Sequence, residues 1–567
     1  MNPVPEDTAR SNLAWGKAVA SCLGDLQVTQ VFFSPGSRST PLVLAFERHP
    51  NIECIPVLDE RSAAFLALGS SKRNKVPAVL LCTSGSAPTH WFPAVTEASH
   101  ASIPLLLLSA DRPSELQDCG AGQTINQSNL FGSFVRAFHP LPIPDSDFQA
   151  IKELEKVLSL AHEQTLDKNP GPVHLNFPFR EPLFLEMSSL SKAQNKTGLS
   201  EKESVSSTRK RAETINLADK YKNPIIIAGE YAPHNLVVKW TKNRPHPILC
   251  DSLSNIREND LPNRILRYEN LLRDSTFIKS AKPDLIIVLG PLPTSKTLRN
   301  WIDQTSSFRV VIEPRGKSVD PLTSESHCIE MSYEELENIK LPVCDQDWTN
   351  MWKVAEEQVE EKITFAFAEE TSWFEGKLTR LLSLHMPSCS SLLVANSMPV
   401  RDLEWFWKPS YLKRKLYGNK GVNGIDGSIS TALGVAHQNK EPTFLLTGDL
   451  AFLHDANALL FRPYFIGSLS IFLINNQGGG IFENLAVSKV PEFEKCFATP
   501  QCCDFTSLCA AYEVEYVRPN DWADVDHLIK NPLECRIRVI EIQSDRKMDR
   551  EIRQKMLSLF PNLNFHA

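Results

Sequence analysis

LSIFLINNQGGGIF (Leu469–Phe482) runs from a nearly unbroken apolar stretch straight into two asparagines, a glutamine and three glycines. Asparagine and glycine are turn residues, so a tight turn explains part of the pattern. It does not explain why polar amides come first and bare backbone follows. The apolar stretch is typical of a strand in a parallel sheet that is covered on both faces. In such sheets ligands bind at the carboxyl ends of the strands, where these amides and glycines stand.

A second strand of this kind ends upstream, in PTFLLTGDLAFLHDANALL (Pro442–Leu460). Asp449 precedes Asn476 by about the length of one strand–helix–strand crossover, so both side chains are expected at one edge of the sheet. A carboxylate, an amide oxygen and a backbone carbonyl are hard ligands that suit Mg²⁺, which completes its shell with phosphate oxygens and water. Gly478 can offer its carbonyl because no side chain obstructs it. The sequence therefore predicts a metal–diphosphate clamp built from Asp449, Asn476 and Gly478.

Nearly continuous apolar runs recur along the chain, and each is followed by a loop and a helical pattern. They fall into three sets, over residues 28–179, 224–314 and 391–543. This rhythm predicts an α/β fold of three doubly wound domains with mainly parallel sheets. We predict domains over residues 1–185, 205–345 and 375–567, a Ser-, Lys- and Glu-rich linker over 186–212, and a mostly helical connector over 345–385.

The bulk properties exclude several classes of protein. The 567 residues are 42% hydrophobic and 22% charged, as in ordinary globular proteins. A formal net charge of −7 argues against a nucleic-acid-binding protein, which usually carries a basic surplus. No run approaches the roughly 18 apolar residues that span a bilayer, and the N-terminus does not resemble a signal peptide.

The 13 cysteines have no framework pattern, which favours reduced thiols and a cytoplasmic location. The cysteines between Cys496 and Cys509 do not have the spacing of a zinc site.

The GDL at Gly448–Leu450 and the NN at Asn475–Asn476 resemble the GDG…NN signature of the thiamine-diphosphate-dependent decarboxylase and carboligase superfamily. Leu450 departs from the signature, which usually has glycine there. The resemblance implies thiamine diphosphate as cofactor, with Mg²⁺ or alternatively Mn²⁺. It also implies pyrimidine-binding, central and diphosphate-binding domains, in that order. Two chains share each cofactor in this superfamily, which implies a homodimer or a dimer of dimers with active sites at the subunit interface.

Further motifs, which span nearly the whole chain, point to one family within this superfamily. They are SPGSRSTPL (34–42), LDERSAAFLALG (58–69), TSGSAPTHWFPAV (83–95), SADRPSELQDCGAGQTINQ (109–127), NSMPVRD (396–402), GNKGVNGIDG (418–427) and NNQGGGIF (475–482). Together they are similar to the 2-succinyl-5-enolpyruvyl-6-hydroxy-3-cyclohexene-1-carboxylate synthase family. This implies decarboxylation of 2-oxoglutarate and addition of the succinyl unit to isochorismate, in menaquinone or phylloquinone biosynthesis.

The resemblance also assigns roles to residues at matching positions. Glu60 is the implied catalytic residue, whose carboxylate hydrogen-bonds the aminopyrimidine of the cofactor. Cofactor contacts are implied for Glu60, Ser84, Gly85, Ile425, Gly448, Asp449, Leu450, Asn476, Gly478 and Ile481, and of these Asp449, Asn476 and Gly478 hold the metal. Substrate contacts are implied for Ser37, Arg38, Arg112, Gln123, Lys296, Ser397, Arg401, Lys420 and Phe482.

Each of these residues also has a plainer interpretation. Glu60 would suit the positive end of a helix dipole, Ile425 would suit an ordinary core, and a lone arginine is most often a solvated surface residue. The cations, however, lie in loops after predicted apolar strands, where binding residues concentrate. Carboxylate-rich substrates need such guanidinium and ammonium donors. Positions that depart from the commonest family pattern, and so affect the substrate contacts, are Gly122, Asn126, Thr297 and Lys420.

Three other functions remain open. A thiamine-diphosphate carboligase for another 2-oxoacid, such as an acetolactate synthase, would need fewer cations around its pocket. A catalytically inactive binding protein of the same fold would be expected to lack Glu60 or Asp449, and both are present. A nicotinamide-dependent dehydrogenase would carry G-x-G-x-x-G after a strand, and no predicted strand is followed by that motif.

Overall fold

The computed structural model of the chain describes residues 5–184 and 215–562, except positions 219, 243, 260, 317, 318 and 535. The predicted linker over 186–212 lies outside the described residues. The described chain forms three six-stranded sheets and one two-stranded sheet. Every described strand pair is parallel, which confirms the predicted α/β class with three doubly wound units. The boundaries 1–185, 205–345 and 375–567 stay predictions.

The first sheet is covered on both faces. Its strands, in the spatial order β2-β1-β3-β4-β6-β5, are β1 (Gln30–Phe33), β2 (Glu53–Pro56), β3 (Ala78–Cys82), β4 (Leu105–Asp111), β5 (Ala137–Pro140) and β6 (Pro172–Pro178). Its helices are α1 (Pro5–Asp25), α2 (Thr40–Glu47), α3 (Glu60–Asn74), α4 (Phe92–Ala101) and α5 (Phe148–Leu166). One hydrophobic core joins α1, α2 and α5 to the sheet, and another joins α3 and α4 to it.

The second sheet has the strand order of the dinucleotide-binding folds. Its strands, in the order β10-β9-β8-β11-β12-β13, are β8 (Pro224–Ala228), β9 (Ile248–Cys250), β10 (Arg264–Ile265), β11 (Leu285–Leu289), β12 (Phe308–Ile312) and β13 (His327–Ile329). Its helices are α6 (His234–Thr241), α7 (Tyr268–Leu271), α8 (Ser275–Ser280) and α9 (Lys296–Gln304). Strands β7 (Ile215–Asn216) and β14 (Ile339–Lys340) pair with each other beside it.

Helix α10 (Gln346–Glu369) leads from the second sheet to the third and confirms the predicted helical connector. Its apolar side, with Trp352, Val359 and Ile363, is buried in the core of the second unit. The helix is therefore held by packing against that unit. None of the helices in the described residues combines the length and the apolar character needed to cross a membrane.

The third sheet repeats the topology of the first. Its strands, in the order β16-β15-β17-β18-β20-β19, are β15 (Ser391–Val394), β16 (Lys415–Tyr417), β17 (Thr443–Gly448), β18 (Leu469–Asn475), β19 (Glu515–Val517) and β20 (Ile537–Gln543). Its helices are α11 (Glu375–His385), α12 (Met398–Phe406), α13 (Ser428–Ala436), α14 (Asp449–His454), α15 (Phe505–Ala511), α16 (Trp522–Lys530) and α17 (Arg546–Leu557).

The strands that sequence reasoning missed in the three large sheets are all edge strands: β5, β10, β13, β16 and β19. An edge strand is paired on one side only and is partly open to solvent, so it does not need the continuous apolar sequence of a central strand. Strand β13 has exposed residues at two of its three positions, for example. The predicted central strands β3, β4, β17 and β18, which are buried at all positions except the last residue of β17 and of β18, are confirmed.

Helices α3 and α13 join the first and third units. Each helix follows the second strand of its own sheet and precedes the third. The helices cross closely because each has a glycine at the contact. A Cβ added at Gly69 would overlap the carbonyl oxygen of Thr431, and one added at Gly434 would overlap the carbonyl oxygen of Leu66. A single hydrophobic core continues from the first sheet through this contact to the third.

We expect Gly69→Ala to destabilise the protein, because its new methyl group meets backbone rather than a flexible side chain. Overpacking of this kind costs about 1–3 kcal/mol. The midpoint of urea unfolding should fall. Gly122→Ala is the matched control, since a Cβ there has nothing within 4 Å, and its midpoint should equal that of the wild type. A Gly69→Ala variant as stable as the control would contradict the tight crossing.

Candidate active site

Two neighbouring strands of the third sheet end side by side. The register of β17 and β18 pairs Gly448 with Ile474, so Asp449 and Asn476 follow at the same edge. The Asp449 carboxylate accepts hydrogen bonds from the backbone N–H of Leu450 and of Gly478, both at 2.8 Å. The two loops that the sequence predicted to meet are therefore in direct contact.

The side-chain amide of Asn476 has one partner and one free oxygen. Its Nδ2 donates to Glu375 Oε1 at 2.6 Å. Its Oδ1 is buried and has no hydrogen-bond partner among the described residues. A buried acceptor without a donor is costly unless something binds it.

The packing of the loop itself also requires glycine at positions after Asn476. Gly478 has φ +126°, and a Cβ there would overlap the carbonyl oxygen of Ala498. A Cβ at Gly480 would lie 2.8 Å from Asn476 Nδ2. The sequence interpretation assigned the glycines to the approach of a ligand. The structure adds that the loop needs them for its own packing.

A cavity of about 270 Å³ opens at this edge. Nine of the predicted site residues line it: Ser397, Ile425, Gly448, Asp449, Leu450, Asn476, Gly478, Ile481 and Phe482. The other lining residues are Glu375, Asn396, Met398, Pro399, Asn423, Ala451, Ile474, Gly479 and Gly480.

The electrostatics of the cavity favour a cation. Burial raises the pKa of the Asp449 carboxyl to about 6, and the Glu375 carboxylate adds to the rise, against the backbone N–H groups of Leu450 and Gly478. No described lysine or arginine forms an ion pair with Asp449. A buried carboxylate, an unpartnered amide oxygen and a nearby backbone carbonyl fit a hard divalent cation that brings phosphate oxygens with it. The residues present therefore fit the implied metal and diphosphate.

Ser397 has a strained backbone beside this cavity. It precedes α12 with φ +73° and ψ −126°, a conformation that non-glycine residues seldom adopt. Strain of this kind concentrates at functional sites. Arg401 lies one turn further along α12 and its Nη1 donates to the Ser397 carbonyl at 2.5 Å. Arg401 does not line the cavity, and burial lowers its pKa.

A second group of predicted residues lies at the carboxyl edge of the first sheet. Arg112 Nη1 donates to Ser84 Oγ. Ser84 Oγ in turn donates to the Gln123 carbonyl at 3.0 Å, and Gln123 Nε2 donates to the Ser84 carbonyl at 3.2 Å. Gly85 donates its N–H to Gln127 Oε1 at 3.1 Å. Three loops of the first unit thus form one polar cluster.

Arg38 belongs to this edge as well. Its side chain is 4% exposed, and it donates to the Phe179 carbonyl and to Glu181 Oε1, both at 2.8 Å. Burial lowers the pKa of Arg38, and the positive charge of Arg112 lowers it further. Its Nε is buried without a partner among the described residues. Two guanidinium groups in mutual repulsion, one with an unused donor, form a place where an anion would be stabilised. Ser37, next in the chain, is exposed.

The remaining predicted residues are not brought to the cavity of this chain. Glu60 begins α3 and does not line it. Lys296 begins α9 and is exposed. Lys420 lines a separate cavity with Arg299 and Arg315, although its Nζ lies 3.4 Å from Oδ1 of the lining residue Asn396.

The sequence profile described as "Thiamine pyrophosphate enzyme, N-terminal TPP binding domain" matches residues 14–130. The chain is 39% identical to the 2-succinyl-5-enolpyruvyl-6-hydroxy-3-cyclohexene-1-carboxylate synthase of Trichodesmium erythraeum, over 97% of this chain and 99% of the relative. It is also 39% identical to the synthase of that name from Microcystis aeruginosa, over 95% of this chain and 97% of the relative.

This chain belongs to the 2-succinyl-5-enolpyruvyl-6-hydroxy-3-cyclohexene-1-carboxylate synthase family. The resemblance inferred from the motifs is thereby confirmed, and the chain is a thiamine-diphosphate-dependent enzyme. The roles assigned to single residues stay predictions.

Sequence reasoning missed some of the residues that line the cavity of this family member, notably Glu375, Asn396 and Asn423. Glu375 lay in a charged stretch that was interpreted only as a connector, and nothing in its neighbourhood distinguishes it from a solvated helix residue. The two asparagines stood inside motifs that were quoted for the resemblance, NSMPVRD and GNKGVNGIDG. The available signal for Asn396 was a side-chain amide directly after a predicted strand, whereas Asn423 follows the missed strand β16.

We expect Asp449→Ala to lose metal-dependent binding of thiamine diphosphate, because it removes the charged oxygen ligands from the proposed cation site. The fall in affinity should exceed the roughly 10–100-fold typical of outer-shell changes. Isothermal titration with and without Mg²⁺ measures it. Asp504→Ala is the matched control, since that carboxylate caps α15 away from the cavity, and its affinity should be that of the wild type. Undiminished affinity in Asp449→Ala would contradict the clamp.

Proposed function

We propose that the protein decarboxylates 2-oxoglutarate and adds the succinyl unit to isochorismate. The products are 2-succinyl-5-enolpyruvyl-6-hydroxy-3-cyclohexene-1-carboxylate and CO₂, a transferase step in menaquinone or phylloquinone biosynthesis. The observation that carries the proposal is that buried Asp449 and Asn476, whose Oδ1 has no partner among the described residues, line one cavity in a chain of this synthase family.

Asp449, Asn476 and the Gly478 carbonyl are the proposed holders of Mg²⁺, or of Mn²⁺ in its place. Thiamine diphosphate, when bound, supplies the electron sink for decarboxylation and acyl transfer. Gly448 and Leu450 lie beside the diphosphate position in this proposal, and Ile425 and Ile481 form apolar walls. The other proposed cofactor contacts, Glu60, Ser84 and Gly85, come from the first unit. The apolar lining excludes water, which strengthens the attraction between the metal ligands and the cation.

Recognition of the substrates is proposed for the cations and amides around the site. Both substrates carry carboxylates, which guanidinium groups bind strongly through charge-assisted hydrogen bonds. The cluster around Arg38 and Arg112 supports this role, because a buried and a half-buried guanidinium group lie there beside the hydroxyl of Ser84, and the Nε of Arg38 has no partner among the described residues. The other proposed substrate contacts are Ser37, Gln123, Lys296, Ser397, Arg401, Lys420 and Phe482.

We propose that the working unit is a homodimer, or a dimer of dimers, in which each site takes residues from two chains. Among the residues that the structure describes, those that line the cavity lie between positions 375 and 482, whereas Glu60 and the cluster around Arg112 lie on the first unit and do not line it. A second copy that presents its first unit to this cavity would supply Glu60. In that position the Glu60 carboxyl would share a proton with a ring nitrogen of the aminopyrimidine.

A reducing cytoplasm is the proposed compartment. The twelve cysteines that the structure describes form no disulfide with one another. Disulfides are rare in cytosolic proteins, so this supports the proposal.

The direct test supplies purified protein with thiamine diphosphate, Mg²⁺, 2-oxoglutarate and isochorismate, and identifies the product by mass. We expect the succinyl adduct and one CO₂ per turnover. Pyruvate is the matched control substrate, since it lacks the distal carboxylate and should release little CO₂. Turnover of pyruvate to acetolactate, with none of 2-oxoglutarate, would favour the acetolactate synthase alternative and overturn the proposal.

Complementation tests the shared site. Alone, Glu60→Gln should bind the cofactor yet lose about 100-fold or more in turnover, as other acid–base groups do. Asp449→Ala should be inactive for lack of cofactor. Co-expression with two different affinity tags yields heterodimers of the two variants. These should regain about half of the wild-type activity per dimer, because one of the two sites then has both residues intact. Heterodimers as inactive as the parents would contradict the two-chain site.

A further inference from the structure

We propose that Glu375 is a positioning residue that decides which atom of the Asn476 amide faces the cavity. The inference rests on the proposed metal site and concerns a residue that the motifs did not point to. Glu375 is the first residue of α11, lies 101 positions before Asn476, and is 2% exposed.

The contact between the two side chains has a definite polarity. The N–H-bearing Nδ2 of Asn476 donates to Glu375 Oε1 at 2.6 Å, while the other carboxylate oxygen pairs with the Arg553 guanidinium. The oxygen of the amide is then left without a donor, which is how the structure has it. A metal ligand must present oxygen rather than N–H. Glu375 thus supplies the condition for Asn476 to act as one.

The Glu375 carboxylate is itself held in place. Its Oε2 lies 3.1 Å from Arg553 Nη2. Arg553 is fixed in turn by a two-point contact with Asp402, at 2.7 and 2.8 Å. These three side chains come from α11, α17 and α12 and are all buried. Glu375 therefore has no freedom to turn away from Asn476 without breaking an ion pair in a low-dielectric setting.

The opposite orientation of the amide is unfavourable on two counts. It would set Asn476 Oδ1 against the carboxylate of Glu375, two acceptors in contact, and it would turn the N–H groups toward the cavity. A Cβ built at Gly480 would lie 2.8 Å from the amide nitrogen, so glycine at this position leaves room for the amide. An amide locked this way offers its oxygen before the metal arrives, which is the preorganisation expected of outer partners of metal ligands.

The alternative is that Glu375 serves only as a counter-ion for Arg553 and matters for stability alone. Glu375→Gln separates the two roles, because it keeps the shape and leaves one acceptor. If the new amide turns its oxygen to Arg553, its N–H₂ meets the N–H₂ of Asn476 and forces that amide to flip. If it turns the oxygen to Asn476, its N–H₂ meets Arg553.

The first measurement is the Mn²⁺ dissociation constant in the presence of thiamine diphosphate, read from the electron paramagnetic resonance signal of free Mn²⁺. We expect Glu375→Gln to weaken Mn²⁺ binding by about 10–100-fold, the usual effect of an outer-shell change. Asp402→Asn is the matched control, since Asp402 belongs to the same ion cluster, where it interacts with Arg553 and with Glu375, and has no described hydrogen bond to Asn476. It should lower the melting temperature and leave Mn²⁺ affinity as in the wild type.

The second measurement exchanges donor and acceptor while conserving charge, in the double variant Glu375→Gln with Asn476→Asp. The new amide can accept from Arg553 and donate to the new carboxylate, which keeps its other oxygen for the metal. We expect Mn²⁺ affinity to recover toward the wild-type value, although each single variant is weak. Such non-additive recovery reports direct coupling between the two positions. A purely structural role would make the double variant at least as poor as either parent.

The outcomes separate this inference from the proposed function. No Mn²⁺ binding by the wild type with thiamine diphosphate would overturn the metal site and the proposal together. Mn²⁺ binding by the wild type with equal affinity in folded Glu375→Gln would overturn the role of Glu375 alone. An equal loss in Asp402→Asn, or no recovery in the double variant, would also reduce Glu375 to a structural counter-ion. If Glu375→Gln fails to fold, recovery in the double variant decides the matter.

Discussion

The parallel pairing of β17 with β18 is the constraint on which the site depends. Parallel strands deliver their carboxyl ends to one edge, so the first residue of α14 and the loop after β18 have to meet. The hydrogen bond from the Gly478 N–H to Asp449 then ties the loops together. Around this junction the fold adds α11, whose first residue reaches the same loop from another part of the chain. Without the shared edge, none of these contacts would form.

More acidic side chains lie around this junction than the described basic side chains there can neutralise. Glu375, Asp402 and Asp549 surround the one guanidinium of Arg553, while Asp449 stands apart from it in the cavity wall. Burial raises the pKa of the Asp549 carboxyl, and the neighbouring Glu375 adds to the rise, against the guanidinium of Arg553. Asp449 forms no ion pair with any lysine or arginine that the structure describes. A cation that binds the folded state alone would therefore stabilise the protein as well as complete the site.

Central strands could be predicted because burial on both faces leaves a continuous apolar run, as in β4. The approach of Asp449 to Asn476 could also be predicted, since it follows from the length of one crossover. Glu375 could not, because its contact depends on how α11 packs against a loop 101 residues away. Nor does a serine at position 397 signal a positive φ. Edge strands and tertiary contacts of this kind depend on the assembled fold rather than on local pattern.

The crossing of α3 and α13 bears on how the protein evolved. The first and third sheets share one strand order, and the two helices occupy equivalent places in it. Each helix sets its glycine against the backbone of the other. Ser84 follows the third strand of one sheet as Asp449 follows the third strand of the other. In a symmetric dimer, equivalent residues of the two copies contact each other in this way. Here both equivalent helices belong to a single polypeptide. Duplication and fusion of one gene would leave such a pattern.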